Sequence, residues 1–179
     1  MKTRTVLFVL ALLLCIACNT RPSKGADIAA ITEIQAKEKA IMDKVTVFLD
    51  DFHNKRDSSQ LDRLLTEDYV RYMNGIKVAS GPSELYANMN VFLTGFPDFH
   101  ITDAHRYIRE NQVFVHWAFT GTNTGVFAEV SATGKKASIT GLSRLYFNED
   151  GKMYREDVYY NELDLLQQLG YTLKPPVVE

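Results

Sequence analysis

The chain has 179 residues, 46% hydrophobic and 23% charged, with 10 Gly and 5 Pro. These values fit one packed domain and exclude wholesale disorder and collagen-like repeats. Its 20 basic and 22 acidic residues leave a net charge of −2, so no cationic field exists to hold a phosphate backbone, and nucleic acid is excluded as a partner.

Lys2 and Arg4 precede an apolar run over residues 6–17. A charged start followed by so short a run predicts a secretory signal; a spanning helix needs about 20 apolar residues. The run ends in Cys15-Ile16-Ala17-Cys18-Asn19. That junction resembles the lipobox of bacterial lipoproteins, with Cys15 standing where Leu is usual. The reading is a signal peptide over 1–17 and lipidation at Cys18, which anchors the protein in the bacterial cell envelope. Ordinary cleavage to a soluble periplasmic or secreted protein is the alternative. Loss of residues 1–17 leaves 18 basic against 22 acidic residues. Both cysteines fall in or at the edge of this segment, where their C-x-x-C spacing has neither a second ligand pair nor a strand-helix context for zinc or redox chemistry. The mature domain then has no disulfide.

Residues 18–25 are polar, with Pro22 and Gly25, and read as a tether to a domain over 26–173. From 28 to 52 the apolar positions Ile28, Ile31, Ile34, Ile41, Val45, Phe48, Leu49 and Phe52 recur at threes and fours, which predicts one long amphipathic helix. Ser59 is placed to cap a short second helix over 59–66. A strand over 69–73 meets Asn74-Gly75, a strong hairpin signal, before 76–78. Gly81-Pro82-Ser83 opens a third helix over 83–93. The period then changes to two, giving strands over 99–108, 113–122, 136–147 and 153–160 with turns at Glu110-Asn111, Thr133-Gly134 and Asp150-Gly151. A brief helix over 163–169 stops at Gly170, and 174–179 form a tail. Helices followed by an antiparallel meander predict an α+β domain. Its curved antiparallel sheet packs on three N-terminal helices and encloses a pocket.

The chemistry-bearing residues are sparse. His53, His100, His105 and His116 lie on different elements with no metal-ligand spacing, and no nucleophile elbow, phosphate loop or dinucleotide fingerprint is present. No metal and no cofactor is therefore expected. Alternation groups Val115, Trp117, Phe119 and Asn123 on one face of their strand, and Arg155, Asp157, Tyr159 and Asn161 on one face of the last strand.

Phe96-Pro97-Asp98, Trp117-x-x-Thr120-Gly121-Thr122-Asn123-Thr124-Gly125, Thr133-Gly134-Lys135, Gly151-Lys152 and Leu166-Gln167-Gln168-Leu169-Gly170 follow one another in an order that resembles the SnoaL-like polyketide cyclases of the nuclear-transport-factor-2-like superfamily. The resemblance spans about residues 48–170. It implies a conical sheet on helices with an internal pocket, and often a homodimer through the sheet's outer face. It also implies a metal-free intramolecular aldol closure assisted by one acid/base carboxylate. At that carboxylate's position this chain has Asn161, and the family's Gly-Thr-His-Thr-Gly motif has Asn123 in place of its His. An amide does not titrate near neutrality but still donates a hydrogen bond to a carbonyl.

The expected ligand-binding set is Asn161, Asn123, Tyr159, Trp117 and Tyr72. Asp157 and His116, with His105 behind them, are the substitute acid/base candidates, Asp157 lying roughly 13 Å along the strand from Asn161. The functional reading is a membrane-anchored protein that binds a small apolar carbonyl-type molecule without cyclase turnover. An active cyclase, isomerase or hydratase using another acid/base residue is the first alternative. An interaction or scaffold subunit is the second.

Overall fold

The computed structural model describes residues 24–175. The signal peptide, Cys18, most of the tether and the end of the tail lie outside the described residues. The chain divides into two compact units, 1–36 and 37–179. In the first, the described residues are the beginning of helix α1 (Lys24–Thr46), and Ile28, Ile31 and Ile34 are exposed there. Of the apolar stripe expected over 28–52, the buried members are Ile41, Val45, Phe48, Leu49 and Phe52, all in the second unit.

The second unit is α+β. Helix α1 passes directly into a π-helix (Val47–Asn54), followed by α2 (Leu61–Leu64), β1 (Leu65–Met73), β2 (Ile76–Ser80), α3 (Gly81–Gly95), β3 (His100–Arg109), β4 (Gln112–Thr122), β5 (Lys136–Phe147), β6 (Met153–Tyr160) and α4 (Glu162–Leu169). The strands form an open, curved sheet in the order β2-β1-β6-β5-β4-β3. Helix α3 packs on β1 and β2, α2 on β1, the π-helix on β3 and α4 on β5.

Local chemistry accounts for most of these boundaries. Asn74 and Gly75 both adopt positive φ, 50° and 85°, as a two-residue hairpin between β1 and β2 requires. Glu84 accepts from the Ser80 amide at 2.8 Å and holds the start of α3. Gly170, at φ 100°, ends α4. On β4 the alternation is clean: Val113, Val115, Trp117 and Phe119 are buried while His116 and Thr120 face out.

Two sequence expectations are corrected. The second helix is a single turn capped by Gln60 without a side-chain bond, so Ser59 is not its cap. Leu65 and Thr66 instead open β1, because Leu65 pairs there with Met153. The sheet is also not wholly antiparallel: β3 to β6 form the expected antiparallel meander, but β1 pairs with β6 in parallel. That long-range pairing sets Arg71 beside Glu156 and Tyr72 beside Asp157. The first pair lines the internal cavity and the second does not, and the candidate site follows from this division.

Candidate functional site: an apolar cavity with a charged wall

A cavity of about 50 Å³ lies within the second unit, room for about four waters on the same measure. Most of its wall is apolar, contributed by Leu49, Met73, Met89, Phe92, Phe99, Phe119, Ile139 and Val158. Its polar lining is His53, Arg71, Ser143, Glu156 and Tyr160, with Trp117 beside them.

Glu156 is the centre of this wall. The Tyr69 hydroxyl donates to its Oε2 at 2.9 Å. Trp117 Nε1 donates to Ser143 Oγ at 3.1 Å, and Ser143 in turn donates to Glu156 Oε1 at 3.2 Å. Both carboxylate oxygens are thereby held in a buried setting. Burial, reinforced by the Glu156 charge, pushes the Tyr69 hydroxyl well above the usual tyrosine range, so it remains a donor. Tyr160 is pushed up to about 12, again chiefly by burial.

Arg71 balances the charge of Glu156 without satisfying its own hydrogen-bonding capacity. Its Nε stands 3.4 Å from Glu156 Oε2, an ion pair whose alignment makes no hydrogen bond. The residue is 5% exposed, and both Nε and Nη1 are buried without a partner. A guanidinium always carries its charge and presents five donors. Leaving the three on Nε and Nη1 buried and unbonded is costly unless something else supplies an oxygen.

His53 reaches the cavity from the π-helix. Winding by i→i+5 places Phe48 and His53 in line, and the rings meet edge to face with centroids 4.7 Å apart. His53 Nδ1 lies 2.8 Å from the Phe48 carbonyl oxygen. A carbonyl only accepts, so Nδ1 carries the proton and Nε2 keeps its lone pair. Burial, with Arg71 adding to it, lowers the imidazole to about 4 against the opposing influence of Glu156 and the Phe48 bond. The ring is therefore neutral at physiological pH.

The residues expected from sequence are distributed differently. Trp117 lines the cavity. Asn123 is buried but serves the loops: Nδ2 donates to the Gly95 and Gly125 carbonyls at 3.0 and 2.9 Å, and Oδ1 accepts from Thr133 N and Oγ1 at 2.8 and 2.9 Å. Asn161 is exposed at the head of α4, where Oδ1 accepts from the Asp164 amide at 3.1 Å. Tyr72 lies under the Arg155 guanidinium at 4.7 Å, and Tyr159 is 49% exposed. Asp157 is buried yet engaged by Tyr146 Oη and Arg155 Nε, both at 2.8 Å. His116 is exposed and stacks on His105 at 6.5 Å. Of these, only Trp117 borders the cavity.

On β6 the cavity-lining positions are one residue out of phase with the expected face. Glu156, Asp157 and Val158 are all buried, so burial along this strand does not alternate, and the inward positions are 156, 158 and 160. Two signals in the sequence point to the cavity-lining set. Arg71 interrupts the alternating pair Tyr69 and Met73, and His53 follows Leu49 by four on the buried side of its helix.

The SnoaL-like polyketide cyclase family profile matches residues 43–169. Among solved structures, one from Jannaschia sp. CCS1, provisionally described as a SnoaL-like polyketide cyclase, superposes with TM-score 0.67 at 16% identity, covering 76% of this chain and 93% of that one. AclR from Streptomyces galilaeus, provisionally described as a hydroxylase, gives 0.63 at 24% identity over 80% and 86% of the two chains. TsrD from Streptomyces laurentii gives 0.63 at 20% identity over 76% and 96%. These likenesses establish a shared fold. Comparison with curated proteins finds no match.

Proposed function

The chain belongs to the SnoaL-like polyketide cyclase family, and from that premise we infer that it is a lipid-anchored protein of the bacterial cell envelope that holds a small apolar carbonyl-type molecule without polyketide cyclase turnover. The observation that carries this reading is Arg71: it lines a mostly apolar cavity, and two of its buried nitrogens have no partner. A carbonyl oxygen on an apolar body supplies the missing acceptor and fills the rest of the space. The cavity volume confines the occupant, or the part of it that enters, to about the size of a cyclic ketone.

Trp117, the chain's single tryptophan, borders the cavity and reports on its contents. Titration with cyclohexanone should quench its emission saturably, and Arg71→Met should weaken binding about 10-fold or more, the range for a hydrogen bond to a charged group. Unchanged affinity in that variant would refute the role given to Arg71. The anchor rests on the Ala17-Cys18 junction. Cys18→Ala should move the protein from the membrane to the soluble fraction, and a wild type already soluble and unlipidated would refute it. The exposed cross-strand row His116, Leu142 and Tyr159 supports a homodimer through that face of the sheet, which sedimentation velocity tests directly.

One observation favours a second reading, in which proton transfer does occur. A carboxylate and a neutral imidazole both line the cavity, at Glu156 and His53.

A further inference from the structure

We propose that His53 is the base of this cavity and Arg71 its oxyanion donor, so that a bound ketone is enolised: a hydrogen on the carbon next to the carbonyl is removed and returned. The inference rests on the binding reading above and extends it to a reaction.

Geometry assigns the roles. The Phe48 carbonyl holds Nδ1 at 2.8 Å and so fixes the tautomer with Nε2 as a lone-pair acceptor. Phe48 and Phe52 meet the ring edge to face at 4.7 and 5.0 Å, which locks its orientation. Arg71 lines the same cavity and carries buried N–H donors without a partner. Glu156 is already held by Tyr69 and Ser143. Its part is therefore to balance the Arg71 charge and orient it, as a positioning residue.

The step conserves atoms and electrons. The Nε2 lone pair takes the proton, the C–H pair becomes the C=C bond of the enolate, and the carbonyl π pair moves to oxygen beside the Arg71 N–H groups. Return of the proton from Nε2 to the same carbon restores the ketone. Return to a vinylogous carbon, where the substrate has one, moves a double bond. No oxidant, metal or leaving group takes part. A base with a low pKa is adequate when the enolate oxygen is met by preorganised donors in a buried site.

The test uses the full-length chain in detergent, with cyclohexanone as the probe in deuterated water. Proton NMR follows loss of the hydrogens on the carbons flanking the carbonyl, while Trp117 emission independently reports binding. In His53→Asn the amide nitrogen stands where Nδ1 stood and still donates to Phe48, but no base remains. Wild type should accelerate exchange over buffer, and His53→Asn should lose about 100-fold or more of that acceleration with Trp117 quenching retained. Quenching without acceleration in wild type, or equal rates in wild type and variant, would overturn the proton transfer and leave the binding reading standing. Neither quenching nor exchange would overturn both.

Should the variant fail to fold, nitrogen-15 NMR of histidine-labelled wild type decides. An unprotonated His53 Nε2 signal at pH 7 that moves as cyclohexanone is added supports the assignment. A protonated Nε2, or a signal blind to the ketone, overturns it.

Discussion

Acidification from pH 7.5 to pH 5 should destabilise this protein through His53. In the unfolded chain an imidazole titrates near 6.5, whereas in the fold burial lowers it to about 4. Between those values the unfolded state takes up a proton that the folded state refuses, so stability rises with pH across this window and is lost as pH falls through it. The contribution is fully retained above about pH 7.5 and exhausted below about pH 4. At 1.36 kcal/mol per pKa unit the whole window is worth about 3 kcal/mol, and the part lost by pH 5 about 2 kcal/mol. Against a typical domain stability of about 5–15 kcal/mol that is a large fraction.

The assay is urea unfolding followed by Trp117 emission at several pH values between 7.5 and 5, on wild type and His53→Asn. Ending at pH 5 leaves ordinary carboxylates ionised. Wild type should lose about 2 kcal/mol more than the variant over this range. Parallel pH slopes in the two proteins would refute a buried, neutral His53.

Other substitutions separate structural from site roles. Asn123→Ala strands the Gly125 carbonyl and the Thr133 amide and leaves the Gly95 carbonyl with the Gly125 amide alone; it should cost at least about 2 kcal/mol in urea unfolding. Gly141→Ala would put a Cβ 2.2 Å from Trp117 Cζ2 and 2.7 Å from the Tyr159 carbonyl oxygen. It should cost about 1–3 kcal/mol or more and shift Trp117 emission as the ring is displaced. Asn161→Asp keeps the acceptor at the head of α4, so stability should change by less than about 0.5 kcal/mol. Because residue 161 is absent from the cavity wall, this change should give no gain of cyclase activity on aromatic polyketide esters.

Much of the architecture was legible in the sequence because local signals agreed with the fold. Asn74-Gly75 demanded its hairpin, β4 alternated cleanly, and Gly170 ended a helix where the chain turns. The site was less legible because its parts meet through one non-local pairing. Nothing near Arg71 in the sequence announces that β1 runs parallel to β6 and sets Glu156 beside it. On β6 three consecutive buried residues erased the period that tells inside from outside. The family pattern assigns Asn123 and Asn161 to the pocket, yet their side chains bond to backbone, one joining loops and the other capping a helix. Such roles satisfy backbone groups whose positions the sequence does not reveal.

The central claim is that the unbonded nitrogens of Arg71 meet a ligand carbonyl inside the cavity. It is tested most directly by carbon-13 NMR of cyclohexanone labelled at the carbonyl carbon and bound to the full-length chain. The bound carbonyl signal should move downfield in wild type, as hydrogen bonding to a cation polarises the C=O bond, and Arg71→Met should abolish that displacement. A bound signal at the same position in both proteins, matching the ketone in an apolar solvent, would contradict the account.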